Sequence, residues 1–547
     1  MHLRALNRKD LLLAMFLAMM TIVAGYCQIV VGVCGVCHDD GIYVSTGKAL
    51  SQGYGYRLIS LPGCPLQSKC PFIYPLLLGI IWKLWPSFPD NLVIMQFLNL
   101  CFGAATVGLS YIYLVRFNYF SRGIAFVAGL LCATSTQFLY FATIALSEML
   151  FALFTILMMF ALEQQLCVKS NNRLSQLLLG VILALPFLTR AIGFVFIPIA
   201  LLGLYLSNRP IRWVALGVTL MALPWTLWMI LVPKIGQSPA ATSWYISYLS
   251  WWRHTFGFSF MGQIFLFNFL GIACGCVQIG MTFFRNVFQL SGWSIPIVAL
   301  FWSTATLDAW RQIGRQRILS YLLFGYLTIV VLWPWSPFRY LIPIMPFLLA
   351  YLLGGIWKTV QKYSSSLGIR ILAASALGMV TLANLGSVYK IAKLNERTSY
   401  PQLLGLIDNP VAWSSYQKLF RWIKTHTEPT DVVAYGLDPM IYLYTGRQAF
   451  RPFVMRPGEM FYGQKFPAIM LEEQISYLSV YRPKYLVQTP MPASSPQDEY
   501  FDEILRQIRQ RYPNWLKTVY VGSDKRFIIF EIQHHLGPPS ESGRSMP

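Results

Sequence analysis

A chain of 547 residues that is 56% hydrophobic and only 12% charged excludes an ordinary soluble fold, in which about a quarter of residues carry charge. The net charge of +21 invites a nucleic-acid reading. However, Arg4, Arg8 and Lys9, Arg116 and Arg122, Lys169 and Arg173, Arg209 and Arg212, Arg311, Arg315 and Arg317, and Lys358, Lys362 and Arg370 all fall in short gaps between apolar runs, as in the cytoplasmic loops of membrane proteins.

A helix needs about 20 apolar residues to cross the hydrocarbon core. In chain order the candidate spans are 11–33, 92–115, 123–141, 143–162, 174–188, 191–207, 213–232, 289–307, 319–335, 340–357 and 371–388. This predicts an all-α polytopic membrane domain of about eleven helices over residues 1–389. With the N-terminus cytoplasmic, every basic cluster lies inside and everything after residue 389 lies outside. The apolar stretch 263–281 would upset that parity as a span, so it is expected along the membrane surface. The predicted outer segments are 35–91, the Trp- and Tyr-rich connection 234–288, and the tail. Helix-like stretches at 412–426, 470–479 and 498–511 alternate there with β-rich ones at 431–435, 484–488, 517–521 and 526–532. That alternation predicts a small extracytoplasmic α/β domain over 390–535, with a disordered end at 536–547. Charge follows the same division: only seven of the 22 carboxylates precede residue 390, namely Asp10, Asp39, Asp40, Asp90, Glu148, Glu163 and Asp308.

Asp39 and Asp40 directly follow the first span, in His38-Asp39-Asp40-Gly41-Ile42-Tyr43. Adjacent carboxylates at a membrane boundary repel and are costly to desolvate, which suits a cation, a proton or a polar substrate. A helix cap for 41–52 is the plainer alternative. Lys69 stands at the outer headgroup level, where it can hold a lipid phosphate or simply reach water. Arg339 and Arg190 occupy very short outer turns, which the topology rule disfavours for arginine, so an anionic partner is expected for each. Lys69 and Arg339 have no obvious carboxylate partner in short range. Glu148 lies near an outer boundary as a second acidic or metal-binding group. Carboxylates and cations on one face suit transfer from a lipid phosphate, a carboxylate taking the acceptor proton and cations stabilising the departing phosphate.

Cys34-Gly35-Val36-Cys37-His38 has the c-type haem attachment spacing. Oxidation is permitted outside the cytosol, so a disulfide among Cys34, Cys37, Cys64 and Cys70 is the preferred reading, its pairing open.

The motifs together resemble the GT-C superfamily of polyprenyl-phosphate-sugar-dependent glycosyltransferases, most closely the bacterial protein O-mannosyltransferase and lipid A aminoarabinose transferase branch. The resemblance is carried by Asp39-Asp40-Gly41-Ile42-Tyr43, by Gly53-Tyr54-Gly55-Tyr56, and by Lys69 to Pro75. It continues in Leu146-Ser147-Glu148-Met149-Leu150-Phe151, Arg339-Tyr340-Leu341-Ile342-Pro343 and the tail segment Asp438 to Arg447. It implies Asp39 as catalytic base and Asp40 as support for acceptor, donor or metal. It also implies Lys69, with Arg339 and Arg190, on the donor phosphate, and Glu148 and Tyr74 near substrate. Any divalent metal would fall to Asp40, Glu148 and His254. The implied partners are a polyprenyl-phosphate-linked sugar and a lipid, glycan or protein acceptor in the plasma membrane. The acid at position 40 is Asp where the nearest branch often has Glu, and the tail has no Trp-Trp-Asp-Tyr-Gly motif, unlike an oligosaccharyltransferase. A flippase for lipid-linked glycans and a membrane c-type cytochrome are the competing classes.

Overall fold

The computed structural model describes residues 3–167, 172–235, 258–280, 318–333, 335–363, 367–402, 410–453, 471–490, 495–523 and 525–536, with scattered positions in 303–311. Six helices there are long and apolar enough to cross a membrane: Arg8–Gln28, Asp90–Arg116, Glu148–Cys167, Arg212–Val232, Phe338–Gln361 and Ile371–Thr398. The predicted run 123–141 is instead a bent pair, Arg122–Ala133 and Thr136–Thr143, meeting at 60°. The break has a local cause. Ser135 accepts from the Phe138 N–H at 3.2 Å and so caps a new helix. Counting the pair as one span gives seven among the described residues. The runs at 174–188, 191–207 and 319–335 form shorter apolar helices, and 289–307 lies almost wholly outside the described residues.

Two further helices bear on the boundaries of the body. Residues 263–280 of the stretch 263–281 lie in helix Phe258–Gly280, which packs against helix Ile318–Leu332; residue 281 lies outside the described residues. There the buried Asn268 amide donates to the carbonyls of Val330, Val331 and Trp333, which the end of helix Ile318–Leu332 leaves open. The last helix of the body, Leu367–Thr398, overruns residue 389, because Asn395 is buried and donates to the Gln28 carbonyl at 2.8 Å.

Beyond residue 410 the chain builds a five-stranded sheet in the order β2-β1-β3-β5-β4. Strands β1 (Val433–Tyr435), β2 (Ala449–Phe450) and β3 (Tyr485–Gln488) are parallel, whereas β4 (Leu516–Val521) and β5 (Ile528–Ile532) run antiparallel. Helices Trp413–His426, Leu471–Tyr481 and Ser495–Arg511 match predicted ones. Helix Asp438–Thr445, between β1 and β2, was not foreseen, and it docks the sheet onto the segment 35–91.

That docking shares one core. Val30, Val33 and Val36 pack with Tyr400, Trp413, Tyr416 and Met440, and the Ala449 N–H donates to the Ser60 carbonyl at 3.0 Å. Gly35 adopts φ +90°, and a Cβ there would lie 3.0 Å from Met440 Cα. Only glycine combines that backbone with that approach. Gly35→Ala is therefore expected to cost about 1–3 kcal/mol and to loosen the sheet from the loop. Faster proteolysis of the tail and a lower unfolding midpoint would register it; unchanged values for both would show that the contact is not tight.

Candidate active site

Helix Asp39–Ser51 starts at His38, a residue with φ 61° whose side chain makes no capping bond. Neither aspartate is the cap. They occupy the first helical turn, where the exposed N–H groups favour negative charge. Their side chains diverge. Asp40 is fully buried and accepts from the backbone N–H groups of Gly35 at 2.7 Å, Val36 at 3.2 Å and Cys37 at 3.0 Å. The loop 35–37 is wrapped around its carboxylate. Burial pushes the Asp40 carboxyl up, against the pull of those donors. Asp39 keeps a side-chain exposure of 38%, so of the two it is the one a substrate can reach.

Asp39 Oδ2 lies 2.5 Å from Arg339 Nη1. The same guanidinium donates through Nε to Glu148 Oε1, and that oxygen also meets Arg190 Nη1 at 2.6 Å. Arg190 continues to Ser147 Oγ at 3.2 Å, and Ser147 to the Tyr43 hydroxyl at 2.9 Å. The anionic partners that Arg339 and Arg190 meet here are carboxylates of the chain itself, distant in sequence. The reason is topological: the chain folds Glu148, at the start of its helix, between two turns 42 and 191 positions away. Glu148 is fully buried, and two guanidinium groups compensate a charge that could not otherwise stand there. For Asp39, burial raises the carboxyl, but Arg339, His38 and Lys69 outweigh it and hold it well below the ordinary carboxylate range.

Lys69 belongs to the same neighbourhood. Gln67 Oε1 accepts from its backbone N–H at 2.9 Å, while the Gln67 carbonyl accepts from Trp228 at 2.8 Å, tying the turn to helix Arg212–Ile235. The ammonium stands 5.7 Å from the Trp335 ring centroid, and burial lowers its pKa. Tyr74 is buried edge-on to Tyr43 at 5.2 Å, and its hydroxyl has no hydrogen-bond partner among the described residues. Arg190 lies 5.4 Å from the Tyr340 ring. The site therefore joins residues from five separated stretches, with Lys69, Arg190 and Arg339 as cations, Asp39 and Glu148 as anions, and tyrosine walls.

Asp40 and Glu148 already serve other groups. The described residues hold no cluster of three His, Cys, Asp or Glu that could bind a metal ion; His254 lies outside them. The segment 34–38 is the loop around Asp40, with His38 Nε2 bonded to Asp438 at 2.8 Å. The preferred disulfide does not form, since Cys34, Cys37, Cys64 and Cys70 are all free thiols. Cys37 faces the Tyr140 hydroxyl at 3.3 Å and Cys64 faces the Gln448 amide at 3.2 Å. Burial pushes the Cys37 and Cys70 thiols up to about 12, so they stay protonated at neutral pH. Sequence reasoning missed Ser147 and Tyr43 as members of the network, although both stand inside the quoted motifs. It also missed the His38–Asp438 contact, for which no local signal exists.

No protein-family model and no curated protein matches the sequence. Solved structures do match. The chain is similar to ArnT from Cupriavidus metallidurans bound to undecaprenyl phosphate, with a TM-score of 0.51 and 13% identity over 98% of this chain and 100% of that one. It is also similar to the oligosaccharyltransferase AglB from Archaeoglobus fulgidus, in complex with an inhibitory peptide and a dolichol-phosphate. There the TM-score is 0.54 and the identity 12% over 97% and 75% of the two chains. The chain shares the fold of these two solved structures.

Proposed function

We propose that this protein is an inverting membrane glycosyltransferase that moves a sugar from a polyprenyl phosphate to an acceptor outside the cytosol. The observation that carries the reading is the partly exposed Asp39 carboxylate set among Arg339, Arg190 and Lys69. Asp39 takes the proton of the acceptor hydroxyl. The acceptor oxygen bonds to the sugar's anomeric carbon from the face opposite the phosphate. The bond from that carbon to phosphate breaks, and its electron pair leaves on the phosphate, which the cations stabilise. Arg339 is paired with Asp39. A donor phosphate that draws this guanidinium toward itself frees the carboxylate and raises its proton affinity, so donor binding primes the base. Neighbours of the same fold with a bound lipid phosphate support the choice of donor class.

The direct test supplies the purified full-length protein in nanodiscs with undecaprenyl phosphates carrying different labelled sugars, plus membrane extract as acceptor. Release of undecaprenyl phosphate with transfer of label is expected for at least one donor; binding without release would favour a flippase. The site must also face outward for this chemistry. A reporter enzyme active only outside the cytosol, fused after residue 402, is expected to be active. An inactive reporter there, with a cytosol-only reporter working, would reverse the orientation and point first to helix Phe258–Gly280.

A further inference from the structure

Asp438 begins helix Asp438–Thr445, and its side chain is fully buried. A buried carboxylate is costly unless it is bonded to something that justifies the loss of water. Its Oδ1 reaches across from the tail to His38 Nε2 at 2.8 Å. The imidazole is itself buried, and its other nitrogen, Nδ1, stands 3.9 Å from Asp39 Oδ1. That distance is a wall contact, too long for a hydrogen bond. Two further facts concentrate on the same point. His38 holds φ 61°, a left-handed backbone that a non-glycine residue keeps only where its surroundings impose it. Gly41, one turn into the helix, has no room for a side chain, since a Cβ would meet Pro439 Cβ at 2.7 Å. The first turn of the Asp39 helix is thus pressed against the first turn of the Asp438 helix.

We infer that Asp438 and His38 are positioning residues of the site: the tail carboxylate holds the imidazole in its strained place, and the imidazole fixes the carboxylate of Asp39. The inference rests on the reading of Asp39 as the base. The tail therefore supplies a working part of the site. Without the bond to Asp438, His38 relaxes toward an ordinary backbone, and the neighbouring Asp39 turns with it.

The test compares the full-length protein with Asp438→Ala, Asp438→Asn and His38→Gln in nanodiscs, scoring undecaprenyl phosphate release from a labelled undecaprenyl-phosphate sugar. Misplacing a catalytic group by about 1 Å can cost on the order of a hundredfold. Asp438→Ala is accordingly expected to lower kcat about ten- to a hundredfold, with donor KM, undecaprenyl phosphate binding and thermal unfolding unchanged. Asp438→Asn keeps an oxygen that accepts from Nε2–H, so it should restore most of the rate. His38→Gln keeps a donor to Asp438 but no ring beside Asp39, so it should lose kcat at constant KM; it carries the test if Asp438→Ala does not fold. Native kcat in Asp438→Ala or His38→Gln overturns the inference. So does a parallel fall of stability, KM and kcat, which would make the contact scaffold alone. Indifferent variants of an active protein sink only this inference, whereas no release by the native protein from any donor sinks the glycosyltransferase reading and this inference with it.

Discussion

Asp39→Asn is expected to lower sugar transfer by at least about a hundredfold and up to about ten-thousandfold, the usual range for a general base. The substitution keeps size and shape and removes proton acceptance. It takes no helix cap away, because the cap position is His38. Binding of undecaprenyl phosphate should persist or tighten, since Arg339 loses one of its two carboxylates and becomes freer to meet phosphate. The carboxyl is held well below its ordinary range by Arg339, behind the opposing effect of burial. It is therefore ionised throughout the neutral range, and any stabilisation it gives is present above the unfolded-state value of about 3.9 and lost only as pH falls below it. Rates for the native protein should accordingly show no acid limb between roughly pH 5 and 7 owing to this group. Near-normal turnover by Asp39→Asn would remove Asp39 as the base.

Glu148→Gln is expected to do most damage to the folded protein itself. Glu148 is the shared counter-charge of Arg190 and Arg339. An amide in its place leaves two guanidinium groups side by side with only Asp39 to balance them. Removing one partner of a buried ion pair costs roughly 3–5 kcal/mol, a large part of any protein's margin. The yield of monodisperse detergent-extracted protein should fall sharply, with a lower unfolding midpoint in what remains. Asp39→Asn, which leaves Glu148 between the two arginines, should be much milder in the same measurement. Equal stability of the two variants would mean that Glu148 does not hold the network.

The apolar runs made most of the helices legible, because a lipid-embedded helix must be apolar along its whole length and cannot hide among other patterns. Where the runs misled, a single polar side chain was responsible. Ser135 splits one run into two helices. Asp39, Glu148, Arg190, Arg339 and Lys69 stood out individually because charge is scarce in this part of the chain and costly near lipid. Their mutual pairing was not visible, since it depends on which turns the helices bring together. Asp40 looked like a twin of Asp39, and sequence alone does not say that the loop of Gly35, Val36 and Cys37 folds back onto its oxygens. Asp438 was harder still. An acid followed by proline at a helix start looks like ordinary helix initiation, and nothing nearby points 400 positions upstream.

That separation sets an order of events during synthesis. Ribosomes add about 5–20 residues per second, so the 400 positions between His38 and Asp438 take on the order of 20–80 seconds to make. Throughout that interval the first helices can already be inserted while the loop carrying Asp39 awaits the helix that locks it. A chain cut short between residues 340 and 437 would carry both aspartates and both site arginines, yet lack the helix that holds the loop beside them.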